Sequence, residues 1–306
     1  MDLAIIATRI VQFAAAVVVF GAPLFLLYGL KGPDRAALGW PRPLAMVASL
    51  ALFFSAVAAL MAQTAAMVGD PAAALDRAMM GSVMLETPFG LAIAARALAA
   101  ALALALCLVL RPGTVLWLSL TALGAVAVAS FAWSGHGAAT EGPGALAHLI
   151  ADVLHLIAAG VWLGALAALA LMLGPHAAPP EPAAARALHG ALAGFSGVGS
   201  AVVATLVLTG LVNSWFLVGL DGLSRITNSP YGLLLVAKLV LFAGMLVLAA
   251  ANRFRHTPGL AAALAAGATD RALAALRRSV ALETALGLAI LVLVGLLGTL
   301  APVAAQ

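Results

Sequence analysis

Residues 3–30 read LAIIATRIVQFAAAVVVFGAPLFLLYGL, a run in which Arg9 is the only charge. A helix rising about 1.5 Å per residue crosses the hydrocarbon core of a bilayer in roughly 20 residues. Backbone polar groups in lipid have to be satisfied within their own segment, so this run reads as a spanning helix. Seven more runs of the same kind follow, at 43–68, 89–110, 114–131, 148–173, 188–217, 231–251 and 280–300. The period-2 alternation of a membrane barrel is missing from all of them. The predicted fold is all-α: a bundle of eight transmembrane helices forming one polytopic membrane domain over residues 1–306.

Composition excludes most other classes. Hydrophobic residues make up 65% of the chain, charged residues 8%, and the mean hydropathy is +1.16. A soluble chain with so few charges could not cover its own surface. The net charge is only +4, with no basic run to follow phosphates, so a nucleic-acid partner is not expected. Cys107 is the single cysteine and has no partner for a disulfide or a thiolate cluster. No P-loop, dinucleotide fingerprint, zincin motif or internal repeat stands out, so no catalytic residues are assigned and an enzyme is not expected. The start, Met1–Asp2–Leu3, lacks the basic region of a cleavable signal peptide.

Orientation follows from the loop cations. Lys31, Arg35, Arg42, Arg111, Arg186, Arg253, Arg255, Arg271, Arg277 and Arg278 fall in the odd-numbered loops, against Arg77 and Arg225 in the even ones. The positive-inside rule puts the odd loops in the cytoplasm and both termini outside, in the periplasm of a Gram-negative host. Within the last odd loop, residues 270–279 read as a short helix lying on the membrane, its arginines toward anionic headgroups.

Polar residues at membrane depth mark the candidate site. Residues 134–137 read SGHG, and residues 147–155 read AHLIADVLH. At about 100° per residue, His148, Asp152 and His155 fall at about 0°, 40° and −20°, one narrow stripe. His136, in the loop just before, lies where it can fold over the top of that stripe. Imidazoles bind borderline metals, and a carboxylate between them fixes a tautomer or ligates directly. Spacing alone leaves three chemistries open: metal ligand, haem ligand or proton relay. A b-type cytochrome would need axial partners from elsewhere, because two histidines on one face cannot clamp a haem from both sides.

Methionine favours metal. Met61, Met67, Met79, Met80 and Met84 lie at the outer end of the second span and in the loop that follows, on the same side as the stripe. Soft thioethers select Cu(I) over harder cations, while packing against neighbouring helices is their other common use. Asp70–Pro71 reads as the N-cap and first residue of a short helix carrying Met80 and Met84 on neighbouring turns. Arg9, Arg96 and Lys238 lie at roughly the depth of Asp152 and His155, which suggests one shared polar cavity that Asn213 also reaches. Snorkelling of the long cationic stems to headgroups is the alternative. Glu283, in the last span, is expected to pair with one of Arg253, Arg255, Arg277 or Arg278.

Residues 148–164 (HLIADVLHLIAAGVWLG), the SGH at 134–136, and residues 231–253 with YG, AK and ANR resemble the copper resistance protein D (CopD) family of bacterial inner-membrane proteins. Arg9, Gly21, Arg96 and Glu283 fit the same pattern, and the resemblance covers nearly the whole chain. It implies eight spans with outward termini and movement of copper across the inner membrane, from periplasm to cytoplasm. Some members carry a fused CopC-like soluble domain. None is seen here, so a separate periplasmic CopC-like donor is the implied partner. Many members carry histidine in the first span where this chain has Gln12, so no ligand is assigned there. The expected cargo is copper, as Cu(I) or Cu(II), captured by the methionines and passed along His136, His148, Asp152 and His155. A copper-binding sensor or scaffold without transport is the remaining alternative.

Overall fold

The computed structural model describes residues 2–135, 137–174 and 182–305. Among them every regular element is helical: α1 (Asp2–Gly29), α2 (Gly32–Ala36), α3 (Pro41–Val68), α4 (Arg77–Glu86), α5 (Pro88–Val109), α6 (Thr114–Ala129), α7 (Ala145–Met172), α8 (Pro182–Leu217), α9 (Pro230–Ala251), α10 (Thr257–Ala266) and α11 (Asp270–Leu297). Among the described residues eight helical stretches are long and apolar enough to cross a membrane, as the run lengths predict. An even number of crossings brings both termini to one end of the bundle, here the terminal end.

α1 is the most enclosed span and packs against α3, α6, α7 and α11. Its seam with α7 is built from glycine. A Cβ placed on Gly21 would lie 2.8 Å from the Gly164 Cα and overlap the Gly160 carbonyl, so only glycine lets these backbones meet. Where lipid removes the hydrophobic drive between helices, such close van der Waals approach is what holds them together. Pro23 sits inside α1 without ending it.

Two expectations are corrected. Residues 270–279 form the first turns of α11 rather than a surface helix, because Leu273, Leu276 and Val280 fill the main core. The short helix of that loop is α10, reached from α9 through a π-helical turn at Asn252–His256. Asp70 does cap a short element, the 3₁₀ turn Pro71–Leu75, while Asp76 caps α4 by accepting from the Ala78 and Met79 amides.

The bundle repeats one four-helix unit, a feature the linear reading did not find. Residues 87–96, TPFGLAIAAR, open α5, and residues 229–238, SPYGLLLVAK, open α9. In each, a hydroxyl before the proline caps the helix: Thr87 Oγ1 accepts from the Gly90 amide at 2.9 Å, and Ser229 Oγ from the Gly232 amide at 3.1 Å. Gly69 follows α3 and Gly219 follows α8, both left-handed, with φ of 79° and 68°. Residues 121–124 in α6 and 284–287 in α11 both read TALG. Gly124 packs on Phe20 of α1, and Gly287 packs on Leu163 of α7, the counterpart of Phe20.

The packing repeats with the sequence. α1 lies against α3 and α6 as α7 lies against α8 and α11; α5 meets α6 as α9 meets α11; α6 touches α7 as α11 touches α1. Gly21 and Gly164 are themselves equivalent and meet reciprocally, which places a pseudo-two-fold axis along the α1–α7 seam. Each unit has four spans, so equivalent helices run in the same direction and the axis lies along the bundle. The symmetry is incomplete among the described residues: α3 packs along α5 far more closely than α8 does along α9, and α1 packs against α8 more closely than α7 does against α3.

Candidate functional site

The repeat places the polar residues of the terminal half in two equivalent pockets. With the registers fixed by Gly21/Gly164, Gly69/Gly219 and Gly90/Gly232, Arg9 corresponds to Asp152, Gln12 to His155, Ala59 to Thr209, Gln63 to Asn213 and Arg96 to Lys238. The expected single cavity is thus two pockets on either side of the α1–α7 seam.

In the second-half pocket, α7 presents His148, Asp152 and His155 on one face, as helical spacing requires, toward α8. His148 is buried, with its ring stacked on Phe216 at 4.7 Å and 10° and its Nδ1 2.6 Å from the Thr140 hydroxyl. Asp152 Oδ1 accepts from the Asn213 amide at 3.3 Å. Gly137 lies directly against that carboxylate, where a Cβ would come within 3.0 Å of Asp152 Cγ. Lys238 is close enough for its charge to act on both Asp152 and His155.

The tautomer of His155 follows from its neighbour. His155 Nδ1 lies 3.0 Å from Thr209 Oγ1, and that hydroxyl gives its one proton to the Thr205 carbonyl at 2.6 Å. Thr209 can then only accept, so Nδ1–H donates and the Nε2 lone pair is left for a ligand. The Asn213 carbonyl oxygen is buried without a partner beside Asp152. Among the described residues no three His, Cys, Asp or Glu side chains stand at metal-ligand spacing. His136, the fourth member of the expected set, lies outside the described residues, between Gly135 and the Gly137 that touches Asp152.

The first-half pocket has the opposite charge. Arg96 is fully buried and donates to Gln12 Oε1, to Ser130 Oγ at 3.0 Å and to Ser134 Oγ at 3.0 Å. Its guanidinium sits 3.7 Å over the Phe131 ring, which stacks in turn on Phe13 at 4.0 Å. Arg9 donates Nη1 to the Ser134 carbonyl at 2.9 Å, and its Nε is buried without a partner. The two guanidiniums repel one another. Gln12 is therefore one of three neutral acceptors that hold Arg96.

The methionines are divided. Met80 and Met84 occupy neighbouring turns of α4 and pack against the apolar cluster of Ala56, Leu60, Val83 and Ile93. Met61 is half-buried on α3, while Met67 and Met79 are exposed at 57% and 46%. α4 packs on α3 and α5, in the first half, and the histidine stripe belongs to the second. Glu283 is also corrected: its buried carboxylate accepts from Trp162 Nε1 at 2.8 Å and from the Asn252 amide at 2.8 Å, not from an arginine. Two of the four candidate cations are engaged elsewhere, Arg253 on Ser196 and Ser200 and Arg277 on the Leu173 carbonyl.

Thr140, Thr209 and Phe216 escaped the linear reading because hydroxyls and rings are common in spans. The signal that reaches Thr209 is the repeat, which sets it opposite Ala59 in the other pocket.

Comparison with known proteins gives one consistent answer. A family described as copper resistance protein D-like, N-terminal domain, matches residues 1–146, and copper resistance protein D matches residues 189–297. The chain is 38% identical over 302 residues to "Copper resistance protein D" of Pseudomonas syringae pv. tomato, covering 97% of this chain and 96% of that one. It is 31% identical over 119 residues to "Copper transport protein CutJ" of Bacillus subtilis (strain 168), covering 39% of this chain and 21% of that protein. No solved structure matches.

Proposed function

The chain belongs to the copper resistance protein D family, and from that premise we propose that it carries copper across the bacterial inner membrane through the second-half pocket. The observation that carries the reading is the His155 tautomer set by Thr209, which leaves the Nε2 lone pair without a proton on the α7 face that also carries Asp152. A neutral imidazole and a carboxylate suit copper in either oxidation state. α8 and α9 pack less closely than their counterparts α3 and α5, which suits a site that must load and release.

The positive-inside bias supports a terminal end facing the periplasm, with the loops bearing Arg111, Arg253, Arg255, Arg277 and Arg278 in the cytoplasm. In that orientation copper arrives from the periplasm, delivered by a CopC-like protein. The exposed Met67 and Met79 give it a first soft contact, with Met61, Met80 and Met84 nearby as further sulfur donors. His136 and His148 then pass it to Asp152 and His155, and onward toward the cytoplasm. Transport makes and breaks only ligand bonds, so the protein acts as a carrier and not an enzyme. The test is copper accumulation in cells expressing the wild type or His148→Ala/His155→Ala at equal membrane abundance. Accumulation should fall to the level of cells without the protein, and equal accumulation by both chains overturns the proposal.

A further inference from the structure

The two pockets are equivalent by the repeat, yet only one has its charge balanced. In the second half the positive charge of Lys238 lies within electrostatic reach of the Asp152 carboxylate. In the first half Arg96 takes the place of Lys238, and Arg9 takes the place of that carboxylate. No carboxylate lines this pocket among the described residues; its polar wall is Thr8, Gln12, Gln63 and Ser134, all neutral. Two guanidiniums held at membrane depth on neutral acceptors alone are expensive, and one buried anion would offset the charge of either.

We propose that the first-half pocket binds a small monovalent anion, chloride in the cell, between Arg9 and Arg96. Chloride there stands in for the carboxylate that the second half supplies from its own chain. Size limits the occupant. The cavity is about 20 Å³, room for about one water-sized group, so a single halide fits and a phosphate does not. Donors are ready: Arg9 Nε is buried and unpartnered, and the Gln63 amide lines the same space. The neutral partners of Arg96 hold its guanidinium plane in place against Phe131, so the site is preformed.

The experiment is thermal unfolding of the full-length protein, purified in detergent, in sodium chloride and in sodium gluconate at equal ionic strength. Saturating chloride should raise Tm by about 5 °C in the wild type and in Asp152→Asn, as expected for an anion that binds only the folded state. Arg9→Gln should lose most of that shift. Equal Tm in the two salts, or an undiminished shift in Arg9→Gln, overturns the proposal. Bromide provides a direct readout on the unaltered chain: an anomalous peak between Arg9 and Arg96 supports the site, and a peak only elsewhere overturns it. A shift produced in gluconate by phosphatidylglycerol micelles and lost in Arg9→Gln would assign the pocket to a lipid headgroup and overturn chloride as the occupant.

Discussion

The two halves of the bundle place ionisable groups at matching positions and obtain opposite environments from them. The first-half pocket is cationic and locked: Arg96 is stacked on Phe131 and tied to Gln12, Ser130 and Ser134. The second-half pocket is mixed in charge, with imidazoles, a carboxylate and a lysine, and its α8 and α9 pack less closely than α3 and α5. A duplicated unit can thus keep one copy as scaffold while the other acquires ligands. The swaps of Gln12 for His155 and Arg9 for Asp152 carry most of the difference. The segment 130–140 joins the two pockets, with Ser130 and Ser134 on Arg96 and with Gly137 and Thr140 on Asp152 and His148.

The sharpest way to break this comparison is to remove the imidazoles. His148→Ala/His155→Ala should weaken copper binding by about 100-fold or more, since even the outer partners of a ligand are worth about 10- to 100-fold. Arg9→Gln should leave copper affinity within about threefold. Titration against a competing chelator measures both. A comparable loss in Arg9→Gln would mean that the two pockets are one functional site.

A second difference between the halves lies toward the other end of the bundle. Glu283 of α11 corresponds to Leu120 of α6, so Glu283→Leu makes the halves alike at that position. The change strips the acceptor from the buried Trp162 Nε1 and from the half-buried Asn252 amide. Leaving these two donors unmade should cost about 2–4 kcal/mol and lower Tm measurably. Glu283→Gln should be nearly neutral. Asn252 has an unpartnered oxygen, and turning its amide lets it accept from the new glutamine while Trp162 keeps its acceptor. A large loss in Glu283→Gln would show that the negative charge itself is required.

The hydroxyl that fixes the tautomer is a finer test. Thr209→Val puts an apolar group where the first half has Ala59 and takes away the acceptor for His155 Nδ1–H. The ring can then present either nitrogen, and copper affinity should fall about tenfold with little change in fold. An unchanged affinity would show that His155 does not ligate through Nε2.

Most of the fold was legible in the residues, because span length and hydropathy are set by the bilayer and leave a strong linear signal. The stripe of His148, Asp152 and His155 was legible for the same reason, since helical spacing alone aligns it. What was not legible is the repeat. Lipid accepts Leu, Val, Ile and Ala interchangeably, so outward positions drift, and the kinship survives only at caps such as Thr87 and Ser229 and at close-approach glycines such as Gly21 and Gly164. Without it, Arg9 and Lys238 read as neighbours in one cavity, when they occupy equivalent corners of two. Glu283 was misassigned because charge complementarity in the sequence says nothing of reach: Arg277 Nε ends on the Leu173 carbonyl at 2.6 Å.

The methionines should show the smallest effect, and they bear on whether the first half takes part in copper handling at all. Met80 and Met84 pack into an apolar cluster, so their replacement by leucine conserves volume and should change stability by less than about 1.5 kcal/mol. Met67 and Met79 are the exposed pair, with sulfur free of such packing. Met67→Leu/Met79→Leu removes two soft donors and nothing structural. At limiting external copper its accumulation rate should fall about twofold, and at saturating copper the rate should match the wild type, because a collecting surface raises local concentration without altering the carrier step. Accumulation measured against copper concentration separates the two regimes. A loss that persisted at saturation would move these sulfurs from the collecting surface into the transport path, and the first half would then be more than scaffold.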